Sequence, residues 1–180
     1  MHYRRVYIEG GCYFFTVVTE KRRKIFSEDD NVKRLRAAFK TVMQKRPFVI
    51  DAAVVLPDHL HFIWTLPEYD SDYSTRWRLI KSAFTKQYPD KFIVQNANRK
   101  KKKQQELWQH RGWEHCLRDE RDFQQHIDYI HYNPVKHGLV RRATDWQYSS
   151  IHRYIKSGML DKNWGEGAMD FADDKCFAIN

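Results

Sequence analysis

Two imidazoles stand two residues apart in Pro57-Asp58-His59-Leu60-His61-Phe62-Ile63-Trp64, an apolar, strand-like run. Side chains at i and i+2 of a strand share a face, so His59 and His61 should stand side by side while Leu60 points into a core. Neutral imidazole is the commonest protein ligand for a divalent metal, and the pair makes half of a site. His-x-His alone also occurs in strands that bind nothing. The segment Tyr129-Ile130-His131-Tyr132-Asn133-Pro134 supplies what the pair lacks. Phe123, Ile127 and Ile130 recur at helical spacing and mark a core side. Tyr129 sits about 200° around from Ile127, which sets its phenol apart from that stripe. Asn133 follows one turn later on the face of Tyr129.

If that face overhangs the strand, two imidazoles, an amide oxygen and a phenol converge. Two histidines and an amide oxygen suit Mg²⁺ or Mn²⁺ with positions left for phosphate and water. A closed structural zinc site would call for thiolates, and no cysteine pair is spaced for one. An ion held there could draw charge from a phosphate oxygen and open phosphorus to in-line attack by the phenolate. A phenol with a pKa of about 10 needs such help, or a nearby cation. Each residue also has an ordinary reading: tyrosines are common on helices, and Asn before Pro is a common helix ending. The combination carries the chemistry.

The elements that must position these groups follow from hydrophobic pattern. Cys12 to Thr19, aromatic and β-branched after Gly10-Gly11, reads as a buried strand. Ser27, with Asp30 as a capping-box partner, is expected to open a helix carrying Val32, Leu35, Phe39, Val42 and Met43 inward, closed before Pro47. Strands over Phe48 to Leu56 and His59 to Leu66 should form a hairpin around Pro57-Asp58. Asp72 or Ser74 should cap a second helix with Trp77, Ile80, Phe84 and Tyr88 inward and Arg76, Arg78, Lys81 and Lys86 on its other side. A short strand around Trp113 to Leu117 precedes a third helix opened by Asp119, Glu120 and Asp122, where acids favour its dipole, and ended or kinked at Pro134. Trp146 to Ile155 reads as a short helix. The order β-α-β-β-α-β-α is α+β. Its first six elements match the ferredoxin-like antiparallel sheet with helices on one face, followed by a C-terminal helical extension.

Charge is concentrated. The 180-residue chain carries a net +9, and residues 73 to 111 hold 11 Lys and Arg against two acids, so the remainder is neutral. Arg99, Lys100, Lys101, Lys102 and Lys103 lie in a polar, low-complexity loop. A confined positive field points to a polyanion, though a solvated helix face followed by a loop would look similar. The acidic stretch with Asp161, Glu166, Asp170, Asp173 and Asp174 is expected either to occupy the groove meant for that polyanion and lower activity or to be a frayed end. No run of eighteen apolar residues is present, which excludes a membrane-spanning helix. Cys12, Cys116 and Cys176 are odd in number and far apart, as expected of a reducing cytoplasmic setting. His115, His131 and His137 are expected to pack or cap. Phe62 and Trp64, on the face of Leu60, speak against an RNA-binding module with exposed aromatic platforms.

The H-L-H strand, W-E-H at 113 to 115, and D-Y-I-H-Y-N-P-V-K-H-G-L-V at 128 to 140 resemble the REP-associated tyrosine transposases. So do G-G-C-Y-F-F-T-V at 10 to 17 and D-W-Q-Y-S-S-I-H-R-Y at 145 to 154. These belong to the single-tyrosine HUH endonucleases, in which U is a hydrophobic residue, here Leu60. The likeness runs from about Tyr3 to about Trp164. It implies a metal-dependent nuclease and strand transferase for single-stranded DNA. Tyr129 would be the nucleophile that forms a 5′-phosphotyrosine link and frees a 3′-OH. His59, His61 and Asn133 would be metal ligands, and the substrates REP-like palindromic hairpins. The nuclease/transposase domain would span 1 to 140, with 141 to 180 as extension and acidic tail of the same globular unit. Insertion-sequence relatives act as dimers, whereas the longer C-terminal part here favours a monomer. A hairpin-binding protein without turnover is the alternative, and it has no need of Tyr129, His59, His61 and Asn133 together.

Overall fold

The computed structural model describes residues 6–89, 107–110, 112–167 and 169; the Arg99 to Lys103 run and the acidic residues beyond 169 lie outside them. Four strands form one antiparallel sheet: β1 (Cys12–Val18), β2 (Val49–Val55), β3 (His59–Thr65) and β4 (Trp113–Cys116), in the order β2-β3-β1-β4. Helices α1 (Asp29–Lys45) and α2 (Tyr73–Gln87) make the two crossovers. This is the expected ferredoxin-like arrangement, with helix α3 (Glu120–Lys136) and a short α4 (Ile151–Lys156) added. Among the described residues no helix is long and apolar enough to cross a membrane.

Period-2 alternation sorts the strand residues onto two faces. Tyr13, Phe15 and Val17 of β1 and Leu60, Phe62 and Trp64 of β3 pack against α1 and α2, with Trp64 stacked on Trp77 at 4.4 Å. Phe62 and Trp64 are therefore sealed away and form no open aromatic platform. Phe14 of β1, Ala52 and Val54 of β2, and Ile63 of β3 face α3 through Ile127, Tyr129 and Ile130. The crossover helices thus take one face and α3 the other. At the start of β1, a Cβ on Gly11 would lie 2.8 Å from the Ile8 carbonyl oxygen, so this tight approach requires glycine.

Two local readings are corrected. Ser27 does not open α1; it ends a 3-10 turn, and the helix starts at Asp29 after Glu28. The buried Asn31 amide instead ties the first turn to the Ile25 carbonyl at 2.7 Å. α3 holds Pro134 in its last turn, where the ring removes the amide that would bond the Ile130 carbonyl, and the helix closes two residues later at Lys136. The segment from Trp146 is not helical until Ile151. Val55 N donates to the Tyr148 carbonyl and Ser150 N to the Ala53 carbonyl, so residues 148 to 150 close the outer edge of β2. That covers an edge which would otherwise be open to pairing. For α2, Asp72 is the cap and accepts from Thr75 N at 2.9 Å.

His131 anchors this C-terminal segment, since its Nε2 lies 2.8 Å from Ser150 Oγ and its ring packs on Tyr154. Burial, with Arg153 and His152 nearby, pushes its pKa down to about 3. The unfolded chain takes up this proton near pH 6.5 and the folded chain does not. Stability should therefore fall as pH drops from 6.5 toward 3, by up to about 1.4 kcal/mol per pH unit for this group. Urea unfolding of His131→Gln at pH 7.5, 6 and 5 should show a slope shallower by up to one proton; an unchanged slope would contradict this.

Candidate active site

The register of the sheet builds the site. β1 runs antiparallel to β3 with Thr16 opposite His61 and Val18 opposite His59. His61 Nδ1 lies 2.9 Å from Thr16 Oγ1, and His59 Nδ1 lies 2.6 Å from Asp58 Oδ1. Each ring is thereby held by one nitrogen, which leaves Nε2 to act as ligand, the usual outer-shell arrangement of metal-binding histidines. Burial raises the Asp58 carboxyl, but the hydrogen bond and charge of His59, together with Arg22, more than offset it and leave it below the usual range. Burial, then the neighbouring His59, His137 and Lys136, hold the His61 pKa well below that of free imidazole. The two rings are 4.9 Å apart.

α3 runs back along β3 over these rings. The Tyr129 ring meets His61 at 5.2 Å, and two turns later His137 meets His59 at 5.0 Å. Asn133, one turn from each, falls between them. Both its amide atoms are buried with no hydrogen-bond partner, and so is His61 Nε2. Buried polar atoms left unpaired cost about 1–3 kcal/mol each, so such a cluster needs a reason. Two imidazole nitrogens and an amide oxygen are the donor set that a divalent ion would satisfy, and these residues fit one. Tyr129 is only 5% exposed, more buried than its helical angle implies, because α3 turns a broad polar stripe of His126, Tyr129 and Asn133 toward the sheet. Lys136 Nζ lies 5.0 Å from the Tyr129 ring centroid, a cation beside the phenol.

The structure thus brings together His59, His61, Tyr129 and Asn133. It places the α2 cations on the other side of the sheet. Arg78 and Lys86 are exposed, and Lys81 is half-buried with its Nζ over Trp108. Arg76 does not belong to that outer side: it is 1% exposed, pairs with Asp70 at 2.7 Å and donates to the Asp72 and Pro47 carbonyls at 2.9 Å. Its short distance from the helix cap swings it inward. Arg76→Ala should cost about 3 kcal/mol, read as a lower urea midpoint, with hairpin affinity unchanged in the fraction that is folded; a weaker affinity at full stability would restore it to the DNA side.

Sequence reading missed Thr16 and Asp58 as supports and Lys136 and His137 as neighbours of the site. Asp58 adjoins His59 and could have been noticed; Thr16 required the register. It also missed a second cluster, His115, Asp122 and His126, whose signal was the four-residue spacing of Asp122 and His126 on one helix face.

The IS200-like transposase family model matches residues 9–133. A REP-associated tyrosine transposase of Escherichia coli strain K12 is 44% identical over 170 residues, 94% of each chain. The chain belongs to the REP-associated tyrosine transposases. A relative from Haemophilus influenzae strain Rd is 43% identical over 164 residues, 91% of this chain and 93% of its own. The solved structure of a REP-associated tyrosine transposase bound to a REP hairpin superposes with a TM-score of 0.78 at 40% identity, covering 96% of this chain and 95% of that one. A member of this family is a DNA transposase, and such transposases point to a divalent metal.

Proposed function

We propose that this transposase cuts and rejoins single-stranded DNA at REP-like hairpins, with Tyr129 as nucleophile and Mg²⁺ or Mn²⁺ held by His59, His61 and Asn133. The observation that carries this reading is the set of orphaned polar atoms, His61 Nε2 and both amide atoms of Asn133, next to the Tyr129 ring. When bound, the ion would draw charge from a non-bridging phosphate oxygen and open phosphorus to in-line attack.

The residues of the chain do the rest. The Tyr129 phenol loses its proton to solvent, and Lys136 stabilises the phenolate that results. The bond from Tyr129 oxygen to phosphorus forms as the bond from phosphorus to O3′ breaks. The leaving oxygen takes up a proton and becomes a 3′-OH, while the 5′-phosphate stays on Tyr129. Attack by a second 3′-OH reverses the step and transfers the strand. Asp58 and Thr16 hold the two imidazoles in the orientation that aims Nε2 at the ion. The hairpin bound to the similar transposase supports a hairpin substrate here. Arg78, Lys81, Lys86 and the run Arg99 to Lys103 supply positive charge for its backbone. Residues 1 to 140 carry the chemistry, 141 to 180 extend the same unit, a monomer suffices, and a chromosomal substrate places the work in the cytoplasm.

A 5′-labelled single-stranded hairpin from intergenic repeats beside the gene, incubated with Mg²⁺, Mn²⁺ or EDTA, tests this reading. Cleavage with either metal and none with EDTA supports it. Tight binding with no cleavage under either metal would make the protein a hairpin binder without turnover.

A further inference from the structure

We propose a second metal site, for a borderline transition-metal ion such as Zn²⁺, built from His115, Asp122 and His126. It does not depend on the reading of the His59 and His61 site. Pairing of His115 with Phe14 across β1 and β4 turns the imidazole toward α3. Asp122 lies in the first turn of that helix and His126 one turn further on the same face. One ligand atom from each of the three lies within 4.8 Å of the others. His115 Nε2 is 2.8 Å from Asp122 Oδ2, and His126 Nδ1 is 3.1 Å from Asp122 Oδ1. The two imidazoles lie 5.0 Å apart with 18° between their planes, on either side of the Asp122 carboxylate. His126 Nδ1 also donates to the Asp122 backbone carbonyl at 2.7 Å, a bond that it would give up to take an ion.

Neighbouring ligands of a tetrahedral ion with bonds of about 2.0–2.1 Å lie about 3.3 Å apart, so small shifts of the three side chains would seat an ion among them. Two imidazole nitrogens and one carboxylate oxygen are a set that Zn²⁺ takes in open tetrahedral sites, with a fourth position left for water, and imidazole donors favour Zn²⁺ over Mg²⁺ in affinity. His126 and Asp122 are buried, while the His115 side chain is 27% exposed, which gives an ion a way in. Their protonation suits binding. Burial keeps the His126 imidazole below its ordinary pKa, hence neutral. The Asp122 carboxyl is raised by burial but lowered further by His115 and the Arg118 backbone, hence ionised. Trp113 stacks on His115 at 5.8 Å and Phe14 packs on His126 at 4.7 Å, fixing both rings. The Phe14 ring also lies 5.5 Å from His61, so it separates the two sites. An ion here would tie β4, a four-residue edge strand, to the helix that carries Tyr129 one turn later.

The test uses full-length protein stripped with EDTA and carrying His61→Ala to remove the first site. Co²⁺, a spectroscopic stand-in for Zn²⁺, should be taken up to one equivalent with the visible bands of a four-coordinate ion. Zn²⁺ should displace it, and millimolar Mg²⁺ should not. His115→Asn, at the exposed rim where folding is least affected, should lose that uptake with circular dichroism unchanged; His126→Gln should do the same. Absence of stoichiometric Co²⁺ or Zn²⁺ uptake in the His61→Ala protein, or uptake untouched by His115→Asn, would overturn the proposal. Because the readout is metal content, a failure of the cleavage reading leaves this result intact, and the reverse also holds.

Discussion

On the proposed mechanism Tyr129→Phe is expected to remove strand cleavage and the protein–DNA adduct, a loss on the order of 10³-fold or more, because the attacking oxygen is gone. The substitution keeps the ring that packs on His61 and Phe14. Only a hydroxyl is lost, so stability should shift by about 1 kcal/mol or less. Hairpin affinity should stay near that of the unmodified protein. Tyr132→Phe is the internal control: its hydroxyl donates to the Gly167 carbonyl at 3.1 Å, and cleavage should persist. Gel assay of both variants beside a binding titration gives the comparison. Residual adduct in Tyr129→Phe would mean that another residue is the nucleophile.

Asn133→Leu should lower metal-dependent cleavage and raise stability at once. In the metal-free protein the amide is buried with neither of its polar atoms paired. An apolar side chain of similar size removes that penalty, so the urea midpoint should rise by the equivalent of about 1–3 kcal/mol. Losing a ligand should cost several kcal/mol of transition-state stabilisation, about 10³-fold in rate. A residue retained only for packing would not show this opposition of stability and activity. His61→Ala should lose cleavage to a similar extent. Its stability change has two parts, the removal of an unpaired Nε2 and the loss of packing against Phe14 and Tyr129. A variant Asn133→Leu that cleaves normally, or that is no more stable, would contradict the ligand assignment.

Much of this was legible in the sequence because it depends on local period. Alternation along β3 separates His59 and His61 from Leu60, Phe62 and Trp64, and the structure keeps that separation. Helical spacing put Tyr129 and Asn133 on one face of α3. What the pattern could not supply is register. Thr16 supports His61 only because β1 and β3 pair at that step. His115 meets His126 only because β4 pairs with β1 and α3 folds over the same face. Arg76 was misplaced because a helix-face argument assigns a long side chain by its Cα. The guanidinium instead reaches in to Asp70 and two carbonyls. Trp146 to Ile155 reads as one short helix, yet residues 148 to 150 form a turn that pairs with the edge of β2, a demand set by another element.

The most direct test of the account is the identity of the residue that carries the DNA. The unmodified protein is reacted with a short single-stranded hairpin and Mn²⁺, the adduct digested with trypsin and nuclease, and the linked peptide sequenced by mass spectrometry. The expected result is a nucleotide 5′-phosphate on Tyr129 and on no other residue. An adduct on Tyr132, Tyr148 or a histidine, or cleavage that leaves a free 5′-phosphate and no adduct, would contradict the central claim.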